Sequence, residues 1–237
     1  LRSLPNFFYD FVKFKKSYRG KLNFLPCLHD RYEEAGVTKS EYFWQDLLVA
    51  RWIKKESPIK HLDIGSRIDG FVAHVSSFRN VEVIDIRPVK KDIPGVIFHQ
   101  ADIMNLEFLK NFEGKGGYCD SLSCLHALEH FGLGRYGDPI NPQGYQVGLR
   151  NMSKLLKANG LLYLSTPIGV ERVEFNANWV FDPRTINRIA LENGLKIKSL
   201  TIFNHNDGIY EISPNEDNLS NLAKDNYNLG IFTFMKS

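Results

Sequence analysis

From about residue 60 onward the chain alternates short apolar runs with helix-forming segments, and this alternation constrains its fold more than any other feature. The runs fall at 61–66, 81–86, 96–101, 118–125 and 160–166. They are rich in Val, Ile, Leu and Tyr and lack the in–out alternation of a half-exposed sheet, which is how strands covered on both faces read. Helices are expected between them at 67–79, 104–112 and 143–158, the last stopped by Asn159-Gly160. Strand–helix alternation of this kind implies right-handed crossovers and a parallel sheet.

Near the end the rhythm changes. A helix at about 183–193, stopped by Asn193-Gly194, is followed by strand-like runs at 195–204 and 229–236. The segment between these runs is rich in Asn, Asp and Ser and shows no helix period, so the two are expected as an antiparallel pair at the sheet edge. Residues 1–60 read differently: a helix near 6–16, irregular sequence, then a helix at about 39–55 carrying Phe43, Trp44, Leu47, Leu48 and Trp52. The expectation is an α/β fold with a Rossmann-like, mostly parallel seven-stranded sheet, an antiparallel last strand and helices on both faces. Residues 1–59 form an N-terminal helical cap and residues 60–237 the sheet domain.

Composition narrows the class. With 237 residues, 43% hydrophobic and 24% charged, the chain is neither collagen-like nor disordered. Cys27, Cys119 and Cys124 are odd in number and form no C-x-x-C pair, which points to a reducing compartment, the cytoplasm, and to no metal site. A net charge of +3 is too small to imply a nucleic-acid partner or an anionic membrane, and the densest basic run, Lys13-Phe14-Lys15-Lys16, reads as a solvated helix face. No apolar stretch is long enough to span a bilayer. Nothing in the sequence fixes an oligomeric state.

A ligand site is expected at the first strand–helix turn, His61-Leu62-Asp63-Ile64-Gly65-Ser66-Arg67-Ile68-Asp69-Gly70. Glycine there lets backbone approach a ligand, and a following helix offers free N–H groups. Twenty residues after Gly65, Asp85 ends the second strand where it could accept both hydroxyls of a ribose, and Asp102 follows the third strand. Turn glycines and strand-end aspartates also serve as plain caps; the combination at three strand ends favours a cofactor. Arg67 stands where a dinucleotide fingerprint needs its second glycine, so a ligand without pyrophosphate fits better than NAD.

The stretch Cys119-Asp120-Ser121-Leu122-Ser123-Cys124-Leu125-His126-Ala127-Leu128-Glu129-His130-Phe131 resembles the fourth-strand motif of class I S-adenosylmethionine (SAM)-dependent methyltransferases, a buried strand ending in a Leu-Glu-His turn. Asp63-Ile64-Gly65 is similar to that family's glycine motif, and 155–162 with Ser165-Thr166-Pro167 to its fifth strand. The run from His126 to Pro139, HALEHFGLGRYGDP, resembles a methyltransferase-like branch known mainly as a domain of unknown function. The resemblance spans about 60–237 and implies SAM as cofactor, with S-adenosylhomocysteine (SAH) as product. It implies that Asp63, Gly65 and Ser66 face the methionine part, Asp85 and Ile86 the ribose, Asp102 and Ile103 the adenine, and that Ser123 to His126 flank the sulfonium. Arg67 and Asp69 depart from the family, which often carries glycines there.

Methyl transfer to an oxygen acceptor needs alignment and a base, and His126 and His130 are the candidates. Residues 131–144, with Gly132, Gly134 and Gly137, read as an irregular loop over the acceptor site, in which Arg135, Tyr136 and Asp138 are the expected substrate contacts. Asn176, Asn178 and Trp179, after the fifth strand, could line the same cleft, and Trp179 is equally consistent with packing. The acceptor implied by the branch is a small molecule or a sugar of a glycan. Two rivals stay open: a binding protein without turnover, and the zinc-hydrolase pattern H-x-x-E-H over 126–130, which needs both histidines on one helix.

Overall fold

The computed structural model describes residues 2–36, 38–112 and 116–237. Contacts divide the chain into two units, Leu1–Thr38 and Lys39–Ser237. The first holds helix α1 (Leu4–Ser17) and a short turn at Asp30–Tyr32. The second holds everything else, including α2 (Glu41–Glu56), which the sequence reading had grouped with the cap. Its start is set by Ser40, whose hydroxyl accepts from the Tyr42 N–H, and its inner face by Val49, Ala50 and Ile53.

After α2 come β1 (His61–Ile64), a π-turn at Ile68–Val72 running into α3 (Ala73–Ser76), β2 (Val81–Asp85), β3 (Val96–Gln100), α4 (Leu106–Leu109) and β4 (Cys119–Leu125). They are followed by α5 (Gly144–Leu155), β5 (Leu156–Ile168), the hairpin β6 (Arg172–Glu174) and β7 (Asn178–Val180), and α6 (Pro183–Glu192). The chain ends with β8 (Leu195–Asn204), β9 (Gly208–Ile212), α7 (Glu216–Leu222) and β10 (Asn228–Lys236).

The main sheet runs in the order β3-β2-β1-β4-β5-β10-β8-β9. The first five strands are mutually parallel, and β10 is antiparallel to both β5 and β8. The sheet therefore has eight strands rather than the expected seven. The extra strand comes from the polar segment after β8: Asn206-Asp207-Gly208 turns the chain, Gly208 at φ +77°, so that β9 pairs back along β8. The same segment holds α7, capped by Asn215 and buried through Leu219 and Leu222. Nor does Asn159-Gly160 stop α5. That helix ends at Leu155, and Asn159, at φ +63°, lies in an irregularity inside β5, where Cys119 pairs with Leu156 but Ser121 with Leu161.

Both faces of the sheet are covered, as continuous apolar strands require. On one face α2, the π-turn and α3 pack Val49, Ile53, Phe71 and Val75 onto Val81, Val83, Leu125 and Tyr163. On the other, α5, α6 and α7 pack Leu149, Met152, Ile186 and Leu219 into a cluster with Ile84, Leu122, Cys124 and Phe232. Cys119 and Cys124 are core residues, and Cys27 is exposed. Among the described residues no helix is long and apolar enough to cross a membrane.

Candidate functional site

The sheet order reverses between β1 and β4, and open parallel sheets leave a crevice at such a switch point. Here it is a cleft of about 620 Å³ at the carboxyl ends of the strands. Its floor begins with the turn after β1. Gly65 sits at φ +70°, where an L side chain is strained, and a Cβ there would meet the Ala127 Cβ at 3.0 Å. Its bare backbone thus forms a shallow cradle against the β4 turn. Asp85 closes one side, and Asp102 lies at the tip of β3, where burial pushes its carboxyl above the usual range.

Asp63, Ser66 and Ser123 are not on the cleft wall. All three are buried directly beneath it. Asp63 accepts from the Ser66 N–H at 3.1 Å, the Ser66 hydroxyl at 2.7 Å and the Ser123 hydroxyl at 2.5 Å. The Ser66 hydroxyl accepts in turn from the Leu125 N–H, and His61 bridges Ser121 and Ser123. Burial pushes Asp63 up to about 7 despite these bonds, and His61 down to about 3. Together they staple β1 to β4 and fix the glycine turn.

His126 and His130 both line the cleft, in opposite states. His126 adopts φ +50° just past β4. Its Nδ1 lies 2.8 Å from Glu129 Oε1, and its Nε2 lies 3.3 Å from Glu41 Oε1, ion-pair distance although off the line of a hydrogen bond. Tyr42 stacks on the ring at 4.6 Å. Burial alone would discharge this imidazole, but the two carboxylates outweigh it and lift it to about 10. At neutral pH His126 is an imidazolium and cannot accept a proton. Glu41, held by His126 and by the Tyr227 hydroxyl at 3.0 Å, stays below its usual range although burial opposes this.

His130 donates from Nδ1 to the Ala177 carbonyl at 2.7 Å. Burial, with Arg135 nearby, pushes it below 6.5, although Glu129 lies 3.9 Å from Nε2. It is neutral at pH 7, with the Nε2 lone pair left for a ligand. The helix that H-x-x-E-H chemistry requires is not formed: His126 is left-handed, and only a single 3-10 turn spans Leu128–His130.

The loop at 131–144 is irregular, as expected, and Asp138 is its organiser. Its carboxylate accepts from the backbone N–H groups of Gly132, Gly134 and Tyr136, which leaves it little capacity for a substrate. Arg135 reaches the Ala177 carbonyl at 2.9 Å. Tyr136 lies beneath the Arg87 and Arg135 guanidinium groups and edge-on to His130. Asn178, on β7, and Ile86 and Ile103, beside Asp85 and Asp102, complete the expected set on the wall. Trp179 packs between Tyr145 and Phe181.

Sequence reasoning missed Glu41, Tyr42, Gln45, Arg87 and Tyr227, all of which line the cleft. Arg87 is the most consequential. It grips both oxygens of Asp85 and donates to the Gly65 carbonyl at 2.9 Å, so it bridges the two features expected to receive a cofactor. Its position two residues beyond a strand-end aspartate was the available signal. Glu41 reaches His126 across 85 positions of sequence and Tyr227 reaches Glu41 across 186, and no local spacing announces such contacts.

A family model described as Caenorhabditis protein of unknown function, DUF268, matches residues 71–207, more than half of the chain. No curated protein matches in sequence. Among solved structures, the 1,6-didemethyltoxoflavin-N1-methyltransferase of Burkholderia thailandensis, with its substrate and SAH bound, superposes with a TM-score of 0.54 at 12% identity, over 82% of this chain and 79% of that one. The magnesium protoporphyrin IX methyltransferase of Synechocystis, with bound SAM, gives 0.53 at 14% identity, over 83% and 80%. SpnF, a 4+2 cyclase, gives 0.54 at 11% identity, over 81% of each. These similarities establish a shared fold.

Proposed function

The chain belongs to the DUF268 family, a membership that names no activity, and we propose that it is a SAM-dependent methyltransferase acting on a hydroxylated small molecule or sugar. The observation that carries this reading is the cleft at the β1/β4 switch point, where the bare Gly65 turn and the strand-end carboxylates of Asp85 and Asp102 face one space. Two neighbours of the same fold hold SAM or SAH. In this cleft Asp85 and Ile86 would take the ribose, Asp102 and Ile103 the adenine, and Gly65 the methionine end. When bound, SAM supplies an electrophilic methyl carbon on a cationic sulfur.

The remaining work falls to the chain's own residues. The Glu41–His126–Glu129 cluster sets two carboxylates around one imidazolium, and its net negative charge suits a cationic donor beside Leu125 and Ala127. His126 therefore positions and does not catalyse. Neutral His130 is the base, its Nε2 taking the hydroxyl proton of the acceptor, an effect typically of about 10²–10⁴-fold. Tyr42, Tyr136, Asn178 and Arg135 offer the rings and polar groups that hold a hydroxylated acceptor.

The test is SAH formation followed by mass spectrometry, with SAM and a panel of sugars and hydroxylated small molecules. Acceptor-dependent SAH that is lost in His130→Ala supports the assignment; no SAH with any acceptor contradicts turnover. A second reading, ligand binding without turnover, is favoured by one feature: Arg87 lies across Asp85 and Gly65.

A further inference from the structure

The cleft lies wholly within Lys39–Ser237, yet the net charge of the protein does not. Residues 1–38 hold seven basic and four acidic side chains, whereas residues 39–237 balance at twenty-three of each. The whole excess of +3 is therefore concentrated in the first unit. Within 2–21 it is denser still, six basic residues against Asp10, which is itself paired with Arg31 at 2.7 Å.

Large apolar side chains are exposed among the same residues. No residue of α1 is buried. The rings of Phe7 and Phe11 meet Phe24 edge-on at 5.1 and 5.3 Å, which shapes an apolar groove of about 390 Å³. Around it Phe8 is 50% exposed, Val12 54%, Phe14 55% and Leu25 81%, with Phe14 and Leu25 on the groove wall and Phe8 against Phe7 and Phe24. At the helical period Phe7, Phe8, Phe11, Val12 and Phe14 share one half of α1 with Lys15 among them, and Lys13 and Lys16 fall on the other. Lys15 and Lys16 also suit the helix C-terminus, which accounts for two of the cations and for none of the exposed rings.

We propose that residues 2–25 dock the protein on an anionic lipid bilayer. Phe8, Val12, Phe14 and Leu25 enter the headgroup–acyl boundary, while the lysines and arginines meet anionic headgroups. A helix with an aromatic face, two lysines opposite it and Lys15 long enough to reach from that face to the headgroups lies in that interface, and its affinity rises with both buried apolar area and lipid charge. Charge complementarity selects this occupant. A second copy of the same face would bring six cations against six. A nucleic acid would stack on the rings but gain nothing from exposed Val12 and Leu25. The inference is independent of the methyl-transfer reading.

The experiment is co-sedimentation of the full chain with vesicles of phosphatidylcholine alone, or with about 30 mol% phosphatidylserine, in about 0.1 M salt. The protein is expected to pellet with the anionic vesicles and to stay in solution with the neutral ones. Neutralising three cations, Lys13→Gln with Lys15→Gln and Lys16→Gln, should weaken partition about a hundredfold, at about fivefold per residue. Phe8→Ser with Leu25→Ser should weaken it at fixed charge. These residues are exposed, so circular dichroism of both variants should match the parent. A parent left in the supernatant with anionic vesicles overturns the proposal, as does a triple variant that binds like the parent. So does light scattering showing a lipid-free dimer that the Phe8→Ser, Leu25→Ser variant dissolves, or tighter binding to a single-stranded RNA than to vesicles.

Discussion

Replacing Glu41 by Gln removes one of the two carboxylates that hold His126 charged while keeping an oxygen for the Tyr227 hydroxyl. At 3.3 Å the lost attraction is about 1–5 kcal/mol for an effective dielectric between about 80 and 20, equivalent to roughly 1–4 pH units. The imidazole should then titrate between roughly 6 and 9 instead of about 10. The sign of the stability effect follows from the direction of the shift. His126 is raised above its unfolded value of 6.5, so its contribution is fully present below pH 6.5 and is lost as pH rises through about 10. At 1.36 kcal/mol per pH unit the ceiling of that contribution is about 5 kcal/mol. Urea unfolding of the parent should therefore lose roughly 3.5 kcal/mol more stability between pH 7 and 10 than other alkaline titrations cause, and Glu41→Gln only about 0 to 2.5 kcal/mol. Lysines and the tyrosines remote from Glu41 cancel in the difference, and burial raises Tyr42 and Tyr227, which face Glu41, in both proteins. Long-range ¹H–¹⁵N spectra of histidine-labelled protein report the imidazole directly. A parent His126 that titrates near 6.5, or a pH-dependence of stability identical in the two proteins, would refute the clamp and return His126 to the list of candidate bases.

Three further outcomes follow from the geometry. If His130 is the base, the rate of SAH formation should fall toward acid pH with a midpoint below the ordinary histidine value of 6.5, since protonation removes its lone pair, and His130→Asn should flatten that limb while His126→Asn leaves it in place. Arg87→Ala frees the Asp85 carboxylate, so SAM should bind at least as tightly as to the parent; a more than tenfold loss on calorimetry would make Arg87 a ligand rather than a competitor. Gly132→Ala places a Cβ against the Asn141 carbonyl oxygen at φ +82°, and should cost about 1–3 kcal/mol of stability or more on urea unfolding.

The parallel half of the fold was legible because buried strands announce themselves as unbroken apolar runs, and β1 to β4 lie within two residues of where those runs placed them. The far edge was not. Asn206-Asp207-Gly208 and the Asn215 cap are short-range turn signals inside a polar stretch, and polarity masked the hairpin and α7. The placing of Asp85 and Asp102 on the cleft was legible because strand-end position is a local property. The burial of Asp63 beneath the turn was not, because it depends on Ser123 of a neighbouring strand, a pairing that one sequence does not display. The charge state of His126 was invisible for the same reason: Glu129 is three residues away, but Glu41 arrives from α2 through the tertiary fold.

The central claim is that SAM occupies the cleft between Gly65, Asp85 and Asp102. Isothermal titration of the purified chain with SAM and with SAH tests it most directly, alongside Asp85→Ala. The account predicts saturable one-to-one binding of both ligands by the parent and at least a tenfold weaker affinity in Asp85→Ala, for the loss of hydrogen bonds to a charged partner. No heat of binding for either ligand, or an Asp85→Ala variant that binds as the parent does, would contradict it.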